Sequence, residues 1–290
     1  VMLPYVAGRD GNYTSNSINT GKQAYRDYIS QYLTKTGSAS FDYDSYPFIY
    51  AAPETSDEST ILNNYLSNLQ MVSEETSKAG KSFYLTMQSH SSVRNAEGSA
   101  NKRAMTIADF RWQLNAAFSF GVKDLRYYTY WMFPNHSKSG DPMDKAIMSD
   151  RGEKQYYDMV QTTTAEAKKQ AEIVLNFEYK KTALGYDDAS YPAHFAGVKD
   201  SEQLDGIVLT ATAGTVFNEM YDKANDRKGY YVFNAEDPAD NKTTKISMKF
   251  NGYKYVAVYR GGVRTLYELN NGTYFATFEK GDGAFIIPFN

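Results

Sequence analysis

The 290-residue chain has no cysteine. Disulfide bridges, thiolate metal sites and cysteine nucleophiles are thereby excluded, while the compartment stays open. Histidine is scarce as well: there are 3, none closely spaced, so a zinc site is not expected. Asp141, Asp144 and Asp150 do not have the spacing of an EF-hand loop. No GxSxG elbow and no P-loop occurs. Neither a metal nor an organic cofactor is expected. No run of apolar residues approaches the roughly 20 that a membrane helix needs. The net charge is -3 and no basic run is present, so nucleic-acid binding is not expected either.

Tyrosine, by contrast, is abundant: 26 residues against 2 tryptophans. Each offers an apolar ring and a hydroxyl, a pairing suited to sugar clefts, although most are expected to serve as ordinary strand and helix packing.

Strands alternate with amphipathic helices through the first part of the chain. VMLPYV precedes TGKQAYRDYISQYLTKTG, whose Tyr25, Tyr28, Ile29, Tyr32 and Leu33 mark one helical face. ASFDYDSYPFIY precedes a helix striped by Ile61, Leu62, Tyr65, Leu66, Leu69 and Val72. SFYLTM precedes TIADFRWQLNAAFSFG, opened by Thr106 with Asp109 three residues on, a capping box with aspartate in the glutamate place. The strand VKDLRYYTYWMF, ended by Trp131, precedes a last long helix. Such alternation means a parallel sheet, either doubly wound or half of a (β/α)8 barrel. Polar residues collect after each strand: Arg9; Asp42, Asp44 and Tyr46; Gln88, Ser89 and His90; Trp131, Asn135 and His136. A barrel keeps its chemistry at these carboxyl ends, and the glycine-rich first turn of a nucleotide binder is missing. The half-barrel is the preferred reading.

The expected boundaries are a half-barrel over 1–186, a linker over 187–202 and an antiparallel β-sandwich over 203–290. The sandwich is read from short strands separated by Asn251-Gly252, Gly261-Gly262, Asn271-Gly272 and Gly281-Asp282-Gly283. A structural cap on the barrel is its expected role, since exposed tryptophans of the kind sugar modules use are few.

Asp42 and Asp44 lie two apart, so on a strand both point to one face. If Phe41 and Tyr43 face the helices, the aspartates face the barrel interior. There they bind sugar hydroxyls, tie down an arginine or act as acid or base; fixing loops through backbone N–H groups is an equal alternative. Gln88 can orient a hydroxyl or a water but cannot attack or ionise. His90, with Arg94 nearby, reads as part of a polar loop over a cleft, and Trp131 as a platform for a pyranose ring. Trp112, inside a helix, reads as packing.

The order FDYDSYPF, FYLTMQSH and RWQLNAAFSFGVKDLRYYTYW resembles the second half of glycoside-hydrolase-like (β/α)8 barrels of the retaining β-glycosidase clan, in particular bacterial, often gut-associated, β-galactosidase-like proteins. KAIMSDRGEKQYYDMVQTTTAEAKKQ and a sandwich ending GDGAFIIPF are similar to their carboxyl-terminal layout. The resemblance implies an oligosaccharide ligand and an exported or cell-surface bacterial protein; together with the strand-end positions it makes Asp44 the expected catalytic group and Asp42, Tyr46, Gln88, His90 and Trp131 the expected binding residues. It implies that VMLPYV is the fifth strand and SFYLTM the seventh. The acid/base glutamate, which follows the fourth, then lies outside the chain, and Gln88 stands near the nucleophile position. A retaining mechanism needs two carboxyl groups roughly 5–5.5 Å apart. The expectation is therefore a glycoside hydrolase or part of one, with a non-catalytic carbohydrate-binding or scaffold protein as the alternative. Four parallel strands leave open edges. A fragment, or a barrel closed by an amino-terminal half or another subunit, is expected.

Overall fold

The computed structural model describes residues 15–49, 58–92, 102–132, 143–184, 204 and 206–290. The expected first strand and linker, with Arg9, Arg94, Asn135, His136 and Asp141, lie outside them.

Helix α1 (Ser15–Thr36) leads to strand β1 (Ser40–Asp44), and α2 (Glu58–Lys78) leads to β2 (Ser82–Gln88). The two-residue β3 (Ser91–Ser92) is followed by α3 (Ile107–Ser119) and β4 (Asp124–Tyr128). A short β5 (Met143–Lys145), paired with β3, precedes α4 (Tyr157–Val174). Strands β1, β2 and β4 form a parallel sheet in chain order. One face carries Phe41, Tyr43, Phe83, Leu85 and Met87, buried with Ile29 and Leu33 of α1, Leu66, Leu69 and Val72 of α2, and Phe110 and Leu114 of α3. Tyr28 is not on that inward stripe: it is exposed and stacks on Tyr25. Neighbours in chain order, with helices packed on one face and polar residues on the other, make this a β/α segment resembling part of a (β/α)8 barrel and not a doubly wound sheet.

The antiparallel part begins earlier than the sequence suggests. Strand β6 (Glu178–Leu184), expected to belong to the half-barrel, pairs with β8 (Thr215–Asp222). Between them in the chain comes β7 (Ile207–Ala211). Then follow β9 (Arg227–Asn234), β10 (Thr244–Phe250), β11 (Tyr255–Arg260), β12 (Val263–Glu268), β13 (Thr273–Phe278) and β14 (Gly283–Phe289). The order β12-β11-β14-β9-β8-β6 makes a six-stranded sheet, and β13-β10-β7 a three-stranded one. Phe217, Val232, Val256, Val258 and Ile286 of the large sheet meet Ile246, Met248, Phe250 and Phe278 of the small one. The turn Gly261-Gly262 has positive φ at both positions (56° and 76°), the backbone of a tight hairpin.

The large sheet is covered on its second face too. Met220, Tyr231, Phe285 and Ile287 pack with Phe118 of α3, Val174 of α4 and Phe177 just beyond α4. Polar contacts add to this seam. Asp109 accepts hydrogen bonds from the Thr106 N–H and hydroxyl at 2.7 Å, closing the expected box at the start of α3. Arg103 then bridges Asp109 (2.8 Å) to Asp237 of the sandwich (2.6 Å). Asn115 of α3 donates to the Gly281 carbonyl at 2.8 Å.

Gly281 sits at φ +75°, and a Cβ there would lie 2.2 Å from the carbonyl oxygen of Ala108. Gly80 has a similar φ of +62° but open space around it. Gly281→Ala is expected to cost about 1–3 kcal/mol more than Gly80→Ala in urea unfolding, because steric overlap is added to the backbone penalty that both share. Equal losses would show that the turn does not press on α3.

Candidate functional site

The residues with chemistry lie on the face of the parallel sheet turned away from the helices. In the register of the sheet, Asp42 pairs with Tyr84 and Asp44 with Thr86; Tyr84 in turn pairs with Asp124, Thr86 with Arg126 and Gln88 with Tyr128. Strand alternation puts all eight side chains on one side. Phe41 and Tyr43 do face the helices, and the two aspartates are half-buried on the other side. Asp42 forms an ion pair with Arg126, which also reaches Asp124 at 3.2 Å and lies over the Tyr84 ring at 5.5 Å.

At the carboxyl ends of the strands the aromatic rings gather. Tyr46 stacks on Tyr128, with ring centres 5.7 Å apart and planes 20° apart. His90 meets both edge-on, at 4.9 Å from Tyr46 and 5.3 Å from Tyr128. The imidazole is buried, and its Nδ1 lies 2.9 Å from the Tyr128 carbonyl oxygen. The Lys102 ammonium lies 5.8 Å from the centre of the Tyr46 ring. Asp44 adjoins this cluster through the Tyr46 hydroxyl. Burial raises the Asp44 pKa above the ordinary carboxylate value; the Tyr46 hydrogen bond opposes this, and the nearby Asp42 charge adds to it. Burial also raises Tyr46, as does its bond to Asp44, so the phenol holds its proton and donates.

Two expected residues are placed differently from the sequence reading. Gln88 is fully buried, and both hydrogens of its amide are taken: Nε2 donates to the carbonyls of Phe48 (3.1 Å) and His90 (3.2 Å). Its Oε1 accepts from the Phe48 N–H at 2.9 Å. The carboxamide is turned into the protein, because an unpaired buried amide would cost more than a solvent-facing one gains. Trp131 does not end β4, which stops at Tyr128; it forms an isolated bridge to Met148 and is 49% exposed. Its ring meets Tyr130 at 5.4 Å and stands outside the Tyr46–His90–Tyr128 cluster. Trp112, read as packing, is buried against Phe48, Tyr65 and Phe233.

Tyr128, Tyr130, Lys102 and Arg126 were not singled out from sequence. The alternation Asp124, Arg126, Tyr128 in DLRYY carries the signal for two of them, since it matches the parity of Tyr84, Thr86 and Gln88.

No protein-family model matches the chain, and no curated protein matches it in sequence. Solved structures similar to it include an α-amylase from Geobacillus thermoleovorans complexed with acarbose, at 9% identity and TM-score 0.39, covering 95% of this chain and 65% of that one. A glycoside hydrolase family 5 protein from Bacteroides vulgatus is 10% identical at TM-score 0.46, covering 99% and 62%. A GH30 endoxylanase from Clostridium papyrosolvens is 9% identical at TM-score 0.35, covering 93% and 72%. The chain thus spans just under two thirds of the first two.

The raised Asp44 pKa fixes the sign of a stability test. The folded state binds this proton more readily than the unfolded state, so stability falls as pH rises through the interval between the two pKa values. Asp44→Asn is therefore expected to unfold at a higher temperature than the parent at pH 7. The gap should close as pH is lowered toward the ordinary carboxylate pKa of about 3.9. A variant less stable than the parent at pH 7 would show that ionised Asp44 is well accommodated.

Proposed function

We propose that this rim binds an oligosaccharide and that the chain is a glycoside hydrolase, or part of one, with Asp44 as its acid group. The observation that carries the reading is the contact of Asp44, its pKa raised, with an aromatic cluster at the carboxyl ends of parallel strands. A carboxyl group that keeps its proton to higher pH is suited to protonating a leaving oxygen. Tyr128, Tyr130 and Trp131 expose rings at 37%, 48% and 49%, offering apolar surface to the C–H faces of sugar rings. In this reading Tyr46, His90 and Trp131 bind sugar, Asp42 shapes the floor through Arg126, and Gln88 acts indirectly. Several further β/α units would be needed to complete a barrel, beside β1 and beside β4, whose outer edges no described strand pairs.

A second reading, carbohydrate binding without cleavage, is favoured by one observation. The strand end where a nucleophile would stand carries Gln88, which cannot ionise and is bonded internally.

Turnover of a panel of aryl glycosides, together with calorimetric titration of oligosaccharides, separates the two. Hydrolysis predicts turnover that falls by about 100-fold or more in Asp44→Asn while binding persists. Binding alone predicts heat of association and no turnover. In either case Trp131→Ala should weaken binding by roughly tenfold, about 1.4 kcal/mol. Neither turnover nor binding across the panel would overturn both readings.

A further inference from the structure

Two glutamine side chains stand in series behind the aromatic cluster. Gln113 of α3 accepts from the Gln88 N–H at 2.9 Å and donates to the Gln88 carbonyl at 3.1 Å. That paired exchange is what a neighbouring strand would supply to a strand end. Gln88 then repeats it one step outward with its own carboxamide, accepting from the Phe48 N–H at 2.9 Å and donating to the Phe48 carbonyl at 3.1 Å. Its second amide hydrogen goes to the His90 carbonyl at 3.2 Å. Both glutamine residues are 0% exposed.

A carboxamide presents a donor and an acceptor side by side at any pH, as a peptide group does. A carboxylate in either place would lose every donated bond while keeping the accepted one. The two segments held by Gln88 are those that carry the rings. Phe48 is two residues beyond Tyr46, and His90 is itself in the cluster. A buried network with its donors filled in this way fixes one arrangement of the backbone.

We propose that Gln113 and Gln88 are positioning residues, whose amides transmit the place of α3 to Tyr46 and His90 and so set the geometry of the aromatic subsite. The functional meaning of this relay rests on the saccharide reading; its geometry does not. Gln88 thus serves the site without touching what the site binds.

The test uses NMR of the whole chain. Among the described residues the histidine is His90, which meets the Tyr46 and Tyr128 rings edge-on, and their ring currents displace its C–H resonances. In Gln113→Met, which keeps the side-chain volume and loses both bonds, the His90 C–H shift should move toward that of a free imidazole. Oligosaccharide affinity should fall by roughly tenfold, as expected for losing a pair of buried hydrogen bonds. Gly80→Ala serves as the control: it carries the left-handed backbone penalty in open space beyond α2 and should leave the His90 shift in place. A folded Gln113→Met with an unchanged His90 shift would overturn the relay. If that variant does not fold, the parent protein decides the matter. The carboxamide protons of Gln88 and Gln113 should exchange with solvent far more slowly than free side-chain amides, and exchange at the free rate would overturn the relay. Failure of all saccharides to bind, with the His90 shift moving as stated, would remove the saccharide reading and leave the relay standing.

Discussion

Helix α3 is buried between two sheets, and that constraint organises the molecule. Phe110, Trp112 and Leu114 belong to the core beneath the parallel strands, while Phe118 belongs to the core beneath the six-stranded sheet. A helix enclosed in this way cannot leave its polar side chains to water, so each needs a partner in the protein. Asp109 is held by Thr106 and Arg103, Asn115 by Gly281 and Tyr231, Gln113 by Gln88, and Ser119 by Asn218. Arg111 makes a two-pronged contact with Glu166 of α4. The Trp112 Nε1 is an exception among the described residues, buried without an acceptor. These partners are spread over β2, α4 and the sandwich, so the position of α3 is felt at the site and at the cap together.

The parallel sheet is unusual in the contrast of its faces. Parallel sheets are commonly apolar on both sides, because helices cover both. Here one side is apolar and packed, and the other carries three aspartates, an arginine and two tyrosines. The charges on that side are arranged in opposition, Asp42 and Asp124 about Arg126, which lowers the cost of a half-buried polar floor. Asp44 has no such cation in ion-pair contact among the described residues, and this separates it from its neighbour two residues away.

Much of the architecture was legible from period and punctuation. The inward Ile29 and Leu33 of α1 and Tyr65, Leu66, Leu69 and Val72 of α2, the Thr106–Asp109 box and the glycine pairs at the hairpins each follow from local rules. Strands β6 and β8 were not legible. EYKKTAL carries three charges among its seven residues, and TVFNEMYD interrupts its apolar residues with Asn218, Glu219 and Asp222. In the fold the Asn218 amide donates to Ser119, 99 residues away, while Asp222 is held locally by Arg227 and its own turn. The parity of Asp42 and Asp44 was readable because alternation is a property of one strand. The inward turn of Gln88 was not, since it depends on Phe48, 40 residues away in sequence. For the same reason Tyr128 was missed: its importance arises from two rings on other loops.

The early placement of β6 ties the two architectural units crosswise. A strand that precedes β7 in the chain closes the far edge of a sheet whose other members all come later. A cut between residues 186 and 203 therefore does not lift out the whole cap, because β6 would stay behind with the barrel segment. Such a cut would strip β8 of its neighbour and expose a bare hydrogen-bonding edge, an invitation to pairing between chains.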